Sequence, residues 1–248
     1  MKRSSPPSKV QLSIDEATSD LDQLKMLVRK YKPLNLLNLS SVKGFIGELY
    51  VFLQLKREVQ TDESAISMFG NQTGWDVQID TSTSTIKIDV KTSYRKIEFF
   101  NDNHNHGWAL SWYKKDETEK GVSCDVFVCV QLDDLLEPEY YFVFNKSLLD
   151  QFPTGMGRFG RVARAFGLLD SWNQMISDGT YEARLAELTE SLKPTKKNPT
   201  KRTDAVNLFT DSLSILRNNN HSPRFRVIDL KGGIDSLFTA IQEVYNAN

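Results

Sequence analysis

Asp76, Asp89 and Lys91 are the residues whose types and spacing could do chemistry. They lie in residues 74–93, GWDVQIDTSTSTIKIDVKTS, which read as two short β-like runs joined by a polar Ser/Thr linker. Alternate residues of a strand share a face, so Lys87, Asp89 and Lys91 point one way. Ile86, Ile88 and Val90 point the other way, into a core. Asp76 opens the first run, so its carboxylate can meet the Asp89–Lys91 pair from the neighbouring strand. Two hard oxygen ligands beside an ammonium make a kit for holding a divalent cation next to a phosphate. The plainer reading is a surface Lys–Asp pair, which contributes little to stability.

A fourth polar group stands upstream. Residues 41–57 have helical spacing, with Ile46, Leu49, Tyr50, Leu53 and Gln54 in register. Glu48 sits in this stretch next to Gly47, flanked by Phe45, Ile46, Leu49, Tyr50, Val51 and Phe52. Most glutamates face water, but here any solvated face is narrow. A buried carboxylate needs a partner, and a metal ion is one.

The elements that must position these groups follow from pattern and punctuation. Residues 1–12 are rich in Ser, Pro and Lys and read as a flexible N-terminus. Ser13 and Glu16 form a capping box for a helix running to about Lys30, with Ile14, Leu21, Leu24, Leu27 and Val28 on its buried side. Strands are expected at 64–69, 75–80, 85–92, 97–100 and 108–113. The nearly continuous apolar run 125–132 reads as a central strand covered on both faces, with 140–144 beside it. A short helix starts at Asn145 and closes at Pro153. Helices follow at 161–177, stopped by Gly179, then at 181–192 and 203–217. A strand at 224–230 and a helix at 234–245 end the chain. The expected domains are a core at 13–152 and a mainly helical region at 153–248, with a basic linker at 193–202.

Here the chain resembles the PD-(D/E)xK phosphodiesterase superfamily, the fold of many restriction endonucleases. The family pattern is a helix glutamate, an aspartate opening a strand, then acidic-x-Lys on the next strand. The corresponding residues are Gly47-Glu48, Gly74-Trp75-Asp76 and Asp89-Val90-Lys91, and the resemblance covers roughly residues 41–149. Trp75 stands where proline is common, and Asp89 where glutamate is commoner, which shortens the ligand's reach. The resemblance implies an α/β fold with a restriction-endonuclease-like central mixed β-sheet flanked by helices and a mainly helical C-terminal lobe. It implies Glu48, Asp76, Asp89 and Lys91 as catalytic residues. Mg²⁺, with Mn²⁺ able to substitute, would be held by Asp76, Asp89 and the backbone carbonyl of Ile88 or Val90, while Glu48 would hold a second metal or its water. Lys91 would position or deprotonate the attacking water and offset charge on the scissile phosphate.

Rival chemistries find less support. His104 and His106 are two apart on an Asn/Gly loop with no third ligand in view. Cys124 and Cys129 are the only cysteines; in a strand an odd separation puts them on opposite faces, so they should not bridge each other. No P-loop, G-x-G-x-x-G or G-x-S-x-G pattern occurs, so no nucleotide cofactor is expected. No apolar run approaches a membrane span, the N-terminus lacks a signal peptide's apolar core, and a cytoplasmic location is expected.

The net charge of −1 is less basic than a dedicated nucleic-acid coat would be, but the charge that matters for DNA is local. Candidate phosphate contacts are Lys87, Arg95 and Lys96 around the motif and Arg158, Arg161 and Arg164 around a helix start. Arg224 and Arg226 share a strand face, and residues 193–202 carry five cationic side chains and no acidic one. The expected activity is Mg²⁺-dependent hydrolysis of DNA phosphodiesters by an endonuclease of the type II restriction or related phage-defence kind, possible as a homodimer. The alternatives are a repair or junction-resolving nuclease of the same fold, and a catalytically inactive nuclease-like DNA- or protein-binding subunit.

Overall fold

The computed structural model describes residues 8–31, 39–59, 65–70, 75–93, 124–133, 135–149, 177–180, 183, 186, 224–230 and 236–247. In chain order the elements are β1 (Ser8–Val10), α1 (Ile14–Tyr31), α2 (Leu39–Glu58), β2 (Ala65–Gly70), β3 (Val77–Asp80), β4 (Thr85–Ser93), β5 (Val126–Leu132), β6 (Pro138–Asn145), α3 (Lys146–Leu149), β7 (Phe225–Asp229) and α4 (Leu237–Asn246).

The strands form one seven-stranded sheet whose spatial order is the chain order, β1 to β7. Neighbours are antiparallel except β4 and β5, which run parallel from Ile88↔Val126 to Ser93↔Gln131. The chain is therefore an α/β protein built on a mixed sheet. Strand β5 is buried at every position, as its unbroken apolar run requires.

One face of the sheet carries Ile66, Met68, Val77, Ile79, Ile86, Ile88, Val90, Val126, Val128 and Val130, all in a single core with α1, α2 and α4. Helix α2 is the middle of that core. Ile46, Leu49, Val51, Phe52, Leu53 and Leu55 are all buried, so the helix is apolar nearly all round.

Helix α1 starts with the capping box read from its sequence. Glu16 N–H donates to Ser13 Oγ at 3.1 Å, and Ser13 N–H donates to Glu16 Oε2 at 2.9 Å. Its buried stripe differs from the expected one: Ala17, Leu21, Lys25 and Val28 are buried, while Ile14 and Leu27 are exposed. The stripe advances by four residues twice and then by three, and Leu27 lies about 100° of helix rotation from Val28. Lys25 is buried because Glu137, between β5 and β6, pairs with it and accepts Tyr50 Oη–H at 2.6 Å. The turn holding Glu137 contains Leu136 at φ 64°, a left-handed conformation that L side chains rarely take. Asp133 Oδ1 fixes that turn by accepting the N–H groups of Leu135 and Glu137, each at 2.8 Å.

Two stretches outside the expected core join its sheet. The N-terminal stretch read as loose contributes β1, because backbone pairing with β2 extends the sheet edge through Ser8↔Gly70 and Val10↔Met68. The region after residue 153 contributes β7 and α4 to the same unit: β7 pairs with β6 from Phe144↔Phe225 to Tyr140↔Asp229, and α4 packs on β6 and α2. Gly179, expected to stop a helix, is left-handed at φ 73° two residues after helical Ser177. Among the described residues no helix is long and apolar enough to cross a membrane.

The N-terminus of α4 is capped from far away in sequence. Glu58, the last residue of α2, accepts Leu237 N–H at 3.1 Å, Phe238 N–H at 2.7 Å and Ser236 Oγ–H at 2.8 Å. Ser236 Oγ in turn accepts Thr239 N–H at 3.1 Å. A carboxylate here satisfies otherwise orphaned donors at the positive end of the helix. Replacing Glu58 by Ala should destabilise the fold by about 1–3 kcal/mol, with Glu58→Gln intermediate. Chemical denaturation of the three proteins measures this, and equal midpoints would show that the cap contributes nothing.

Candidate active site

The site lies where the β3–β4 ladder ends. That ladder is described from Asp80↔Thr85 to Val77↔Ile88, whereas β4 continues to Ser93 alongside β5. Asp76 stands at this end and is fixed by its own backbone. Its carbonyl accepts Phe69 N–H from β2 and its N–H donates to the Ile88 carbonyl, each at 2.8 Å. Its carboxylate accepts Val90 N–H at 2.8 Å. The side chain thus takes over a β4 donor and is held against the strand that carries Asp89 and Lys91.

The alternation read from the sequence holds on β4. Ile86, Ile88 and Val90 are in the core, and Asp89 is the buried acid of the opposite face. Lys91 Nζ pairs with Asp89 Oδ1. Across the parallel register Asp89 faces Phe127 and Lys91 faces Cys129. Burial pushes the thiols of Cys124 and Cys129 up, so both stay protonated at neutral pH, and both are free.

Glu48 reaches the site from α2. The approach depends on Gly47: a Cβ built there would overlap Thr92 Oγ1 outright and lie 3.0 Å from Thr92 Cβ and Cγ2. With no side chain at 47, the helix presses onto β4 and its next residue meets the acids. Burial, then the charge of Asp76, pushes the Glu48 carboxyl up to about 7, Lys91 opposing and Asp89 adding to the rise. Burial also raises Asp89, against the pull of Lys91 and with help from Asp76. For Lys91, burial alone would lower the pKa, but the attraction of Asp89 and Asp76 wins and holds it raised. The directions agree once charges are counted. One ammonium sits among three carboxylates, so the ammonium stays charged while the most buried acids resist ionising.

A surplus of buried negative charge is what a divalent cation relieves. Among the described residues no three His, Cys, Asp or Glu side chains are grouped so as to hold a metal ion together. The donor set instead fits a small hard cation that keeps several waters and takes one or two carboxylates, here Asp76 and Asp89. Such a cation would compete with Lys91 for Asp89. Glu48 is near enough to feel both acids and suits contact through a water. Of the two carbonyls considered, that of Ile88 already accepts Asp76 N–H.

Of the expected DNA contacts, Lys87, Arg224 and Arg226 lie within the described residues, and Lys87 is the one on the Asp89 face. Its Nζ lies over the Trp75 ring, 4.4 Å from the centroid. The sequence reading missed Asp125, which holds the Lys87 backbone from both sides: Asp125 Oδ2 accepts Lys87 N–H at 2.9 Å, and Asp125 N–H donates to the Lys87 carbonyl at 2.8 Å. The signal was an acid opening an apolar strand, the same signal that marked Asp76. Arg95, Lys96, Arg158, Arg161, Arg164, His104, His106 and the 193–202 linker lie outside the described residues, as do the strands expected at 97–100 and 108–113. Arg224 and Arg226 are tied to α4, donating to the Ala247 carbonyl at 3.3 Å and to Glu243 Oε2 at 2.9 Å. Comparison with protein-family models finds none that matches this chain, and comparison with curated proteins finds no match either.

Two outcomes are expected from this geometry. Gly47→Ala should cost about 1–3 kcal/mol by overpacking, and Thr92→Ala in the same chain should recover most of it; a double mutant no more stable than Gly47→Ala alone would mean the clash is not at Thr92. The second concerns pH. Between the usual carboxylate range and about 7, the folded chain holds protons on Glu48 and Asp89 that the unfolded chain has released. Stability in EDTA should therefore fall as pH rises from about 5 to 7, by at most about 1.4 kcal/mol per pH unit for each group. Asp89→Asn should flatten that slope, as read by thermal melts across the pH range.

Proposed function

We propose that this protein is a Mg²⁺-dependent DNA endonuclease of the restriction-endonuclease-like fold, of the type II restriction or related phage-defence kind. The observation that carries the reading is the gathering of Glu48, Asp76, Asp89 and Lys91 at one end of the β3–β4 ladder, with Glu48 and Asp89 driven toward neutrality by burial first and then by the charge of Asp76. The order of the parts supports it too: a helix acid, an acid opening a strand, then acid-x-Lys on the adjacent antiparallel strand.

Phosphodiesters resist hydrolysis because their anionic oxygens repel a nucleophile. When bound, the divalent cation supplies charge neutralisation and lowers the pKa of a bound water. Asp76 and Asp89 are the residues to hold it. Asp76 is kept in place by three hydrogen bonds to two neighbouring strands, which is the preorganisation that such a ligand needs. Lys91, kept protonated by its acid neighbours, serves the scissile phosphate as a cation and not as the base. Glu48, with a carboxyl that changes charge near neutral pH, is suited to accept a proton from water.

The test is digestion of a long unmethylated DNA with purified protein. Cutting is expected with Mg²⁺ or Mn²⁺ and none in EDTA. Asp76→Ala, Asp89→Ala and Lys91→Ala should each lower the rate by about two orders of magnitude or more while remaining folded by circular dichroism. Wild-type rates in all three would remove the assignment. Discrete fragments indicate sequence-specific cutting, and branched or flapped substrates cut in preference to duplex would move the protein to the repair class.

A further inference from the structure

Strand β4 presents Lys87, Asp89 and Lys91 in a row on one face. Asp89 and Lys91 neutralise each other. Lys87 is different: among the described residues its ammonium meets only the indole of Trp75. That contact is worth about 0.5–1 kcal/mol at a partly exposed site, which holds a cation in place without neutralising it. Both ends of the arrangement are fixed. Asp125 clamps the Lys87 backbone on its N–H and on its carbonyl. Trp75 stands edge-on to Phe69, with centroids 5.9 Å apart and an interplanar angle of 61°. Its Nε1–H is shut from solvent and has no hydrogen-bond partner among the described residues, and the indole offers Lys87 its ring face.

A cation held on a ring, with no counter-ion among the described residues, is prepared for an anion that arrives from outside. Residues two apart on a strand are separated by about 7 Å, so Lys87 stands at a fixed short distance from Asp89. A polyanion with regularly spaced charges can occupy both places at once. We propose that Lys87, carried on the Trp75 ring, is a positioning residue that binds the substrate phosphate next to the scissile one. This rests on the DNA-hydrolase reading above and adds to it the residue that sets the strand's register on the acids. Phosphate contacts of this type fix position without reading sequence.

The experiment compares wild type with Lys87→Ala, Lys87→Gln and Lys87→Arg. Affinity for a DNA duplex is measured by fluorescence anisotropy with Ca²⁺ in place of Mg²⁺, from about 50 to 200 mM salt. Cleavage in Mg²⁺ and thermal melts are run alongside. Ala and Gln variants should bind about tenfold more weakly at low salt, and the slope of log K against log salt should become shallower by about 0.9, the loss of one phosphate contact. In cleavage the larger share of the loss should fall in KM, and Lys87→Arg should restore most of both. A wild-type salt slope in the Ala and Gln variants overturns the assignment, including where a lowered Tm accounts for a weaker enzyme, because a merely structural lysine leaves that slope alone. If wild-type protein neither binds nor cuts DNA, the hydrolase reading fails and this inference with it. If wild type cuts and Lys87→Ala keeps its slope, only the inference fails.

Discussion

Helix α2 can lie against β4 as closely as it does because residue 47 has no side chain to meet Thr92. That contact sets the depth of the whole helical layer on the sheet. Helix α1 packs on α2, and α4 packs on both α2 and the far strands, so their positions are inherited from it. The same contact delivers Glu48 to acids that come from two strands. A side chain at 47 would move the helix that holds the core and the helix that serves the site, because they are one helix.

The site itself is an arrangement of charge that the fold does not balance. Three carboxylates and one ammonium are gathered where solvent is scarce, and the cost appears as carboxyls unwilling to ionise. Structural ion pairs elsewhere in the chain behave differently. Burial would raise the Glu137 carboxyl, but hydrogen bonds from Lys25 and Tyr50 bring it below the usual range, and a stable turn results. The contrast separates an acid that pins an element from acids that burial and a neighbouring carboxylate hold back from ionising.

Much of this was legible in the residues. Period-two alternation placed Asp89 and Lys91 on one face of β4, and an unbroken apolar run identified β5 as central, because strand geometry and two-sided burial leave direct marks on sequence. The Ser13–Glu16 cap was equally plain, since both partners lie within one turn. What stayed hidden depends on partners distant in the chain. Nothing local marks Lys25 as buried, since its reason is Glu137; nothing marks Glu58 as the cap of α4, since its donors come 178 to 180 residues later. Strand β1 was missed because a three-residue edge strand is held by backbone pairing and not by its side chains. The approach of α2 to β4 was half visible: Gly47 stood beside Glu48 in the sequence, but its reason, Thr92, did not.

The spatial order of the strands has a consequence for how the chain is made. Because β1 to β7 lie side by side in the order of synthesis, each strand emerging from a ribosome can add to the edge left by the one before it. The parallel step from β4 to β5 requires a crossover, and the steps from β1 to β2 and from β6 to β7 are made through longer connections still. The sheet can therefore grow in one direction, with the strands that carry the acids formed before β5. Strand β7 and helix α4, which pack on β6, come well after it in the chain, so an open edge and an uncovered apolar face travel with the nascent chain until they emerge. A stall after β5 would leave both exposed, with the acids already in place.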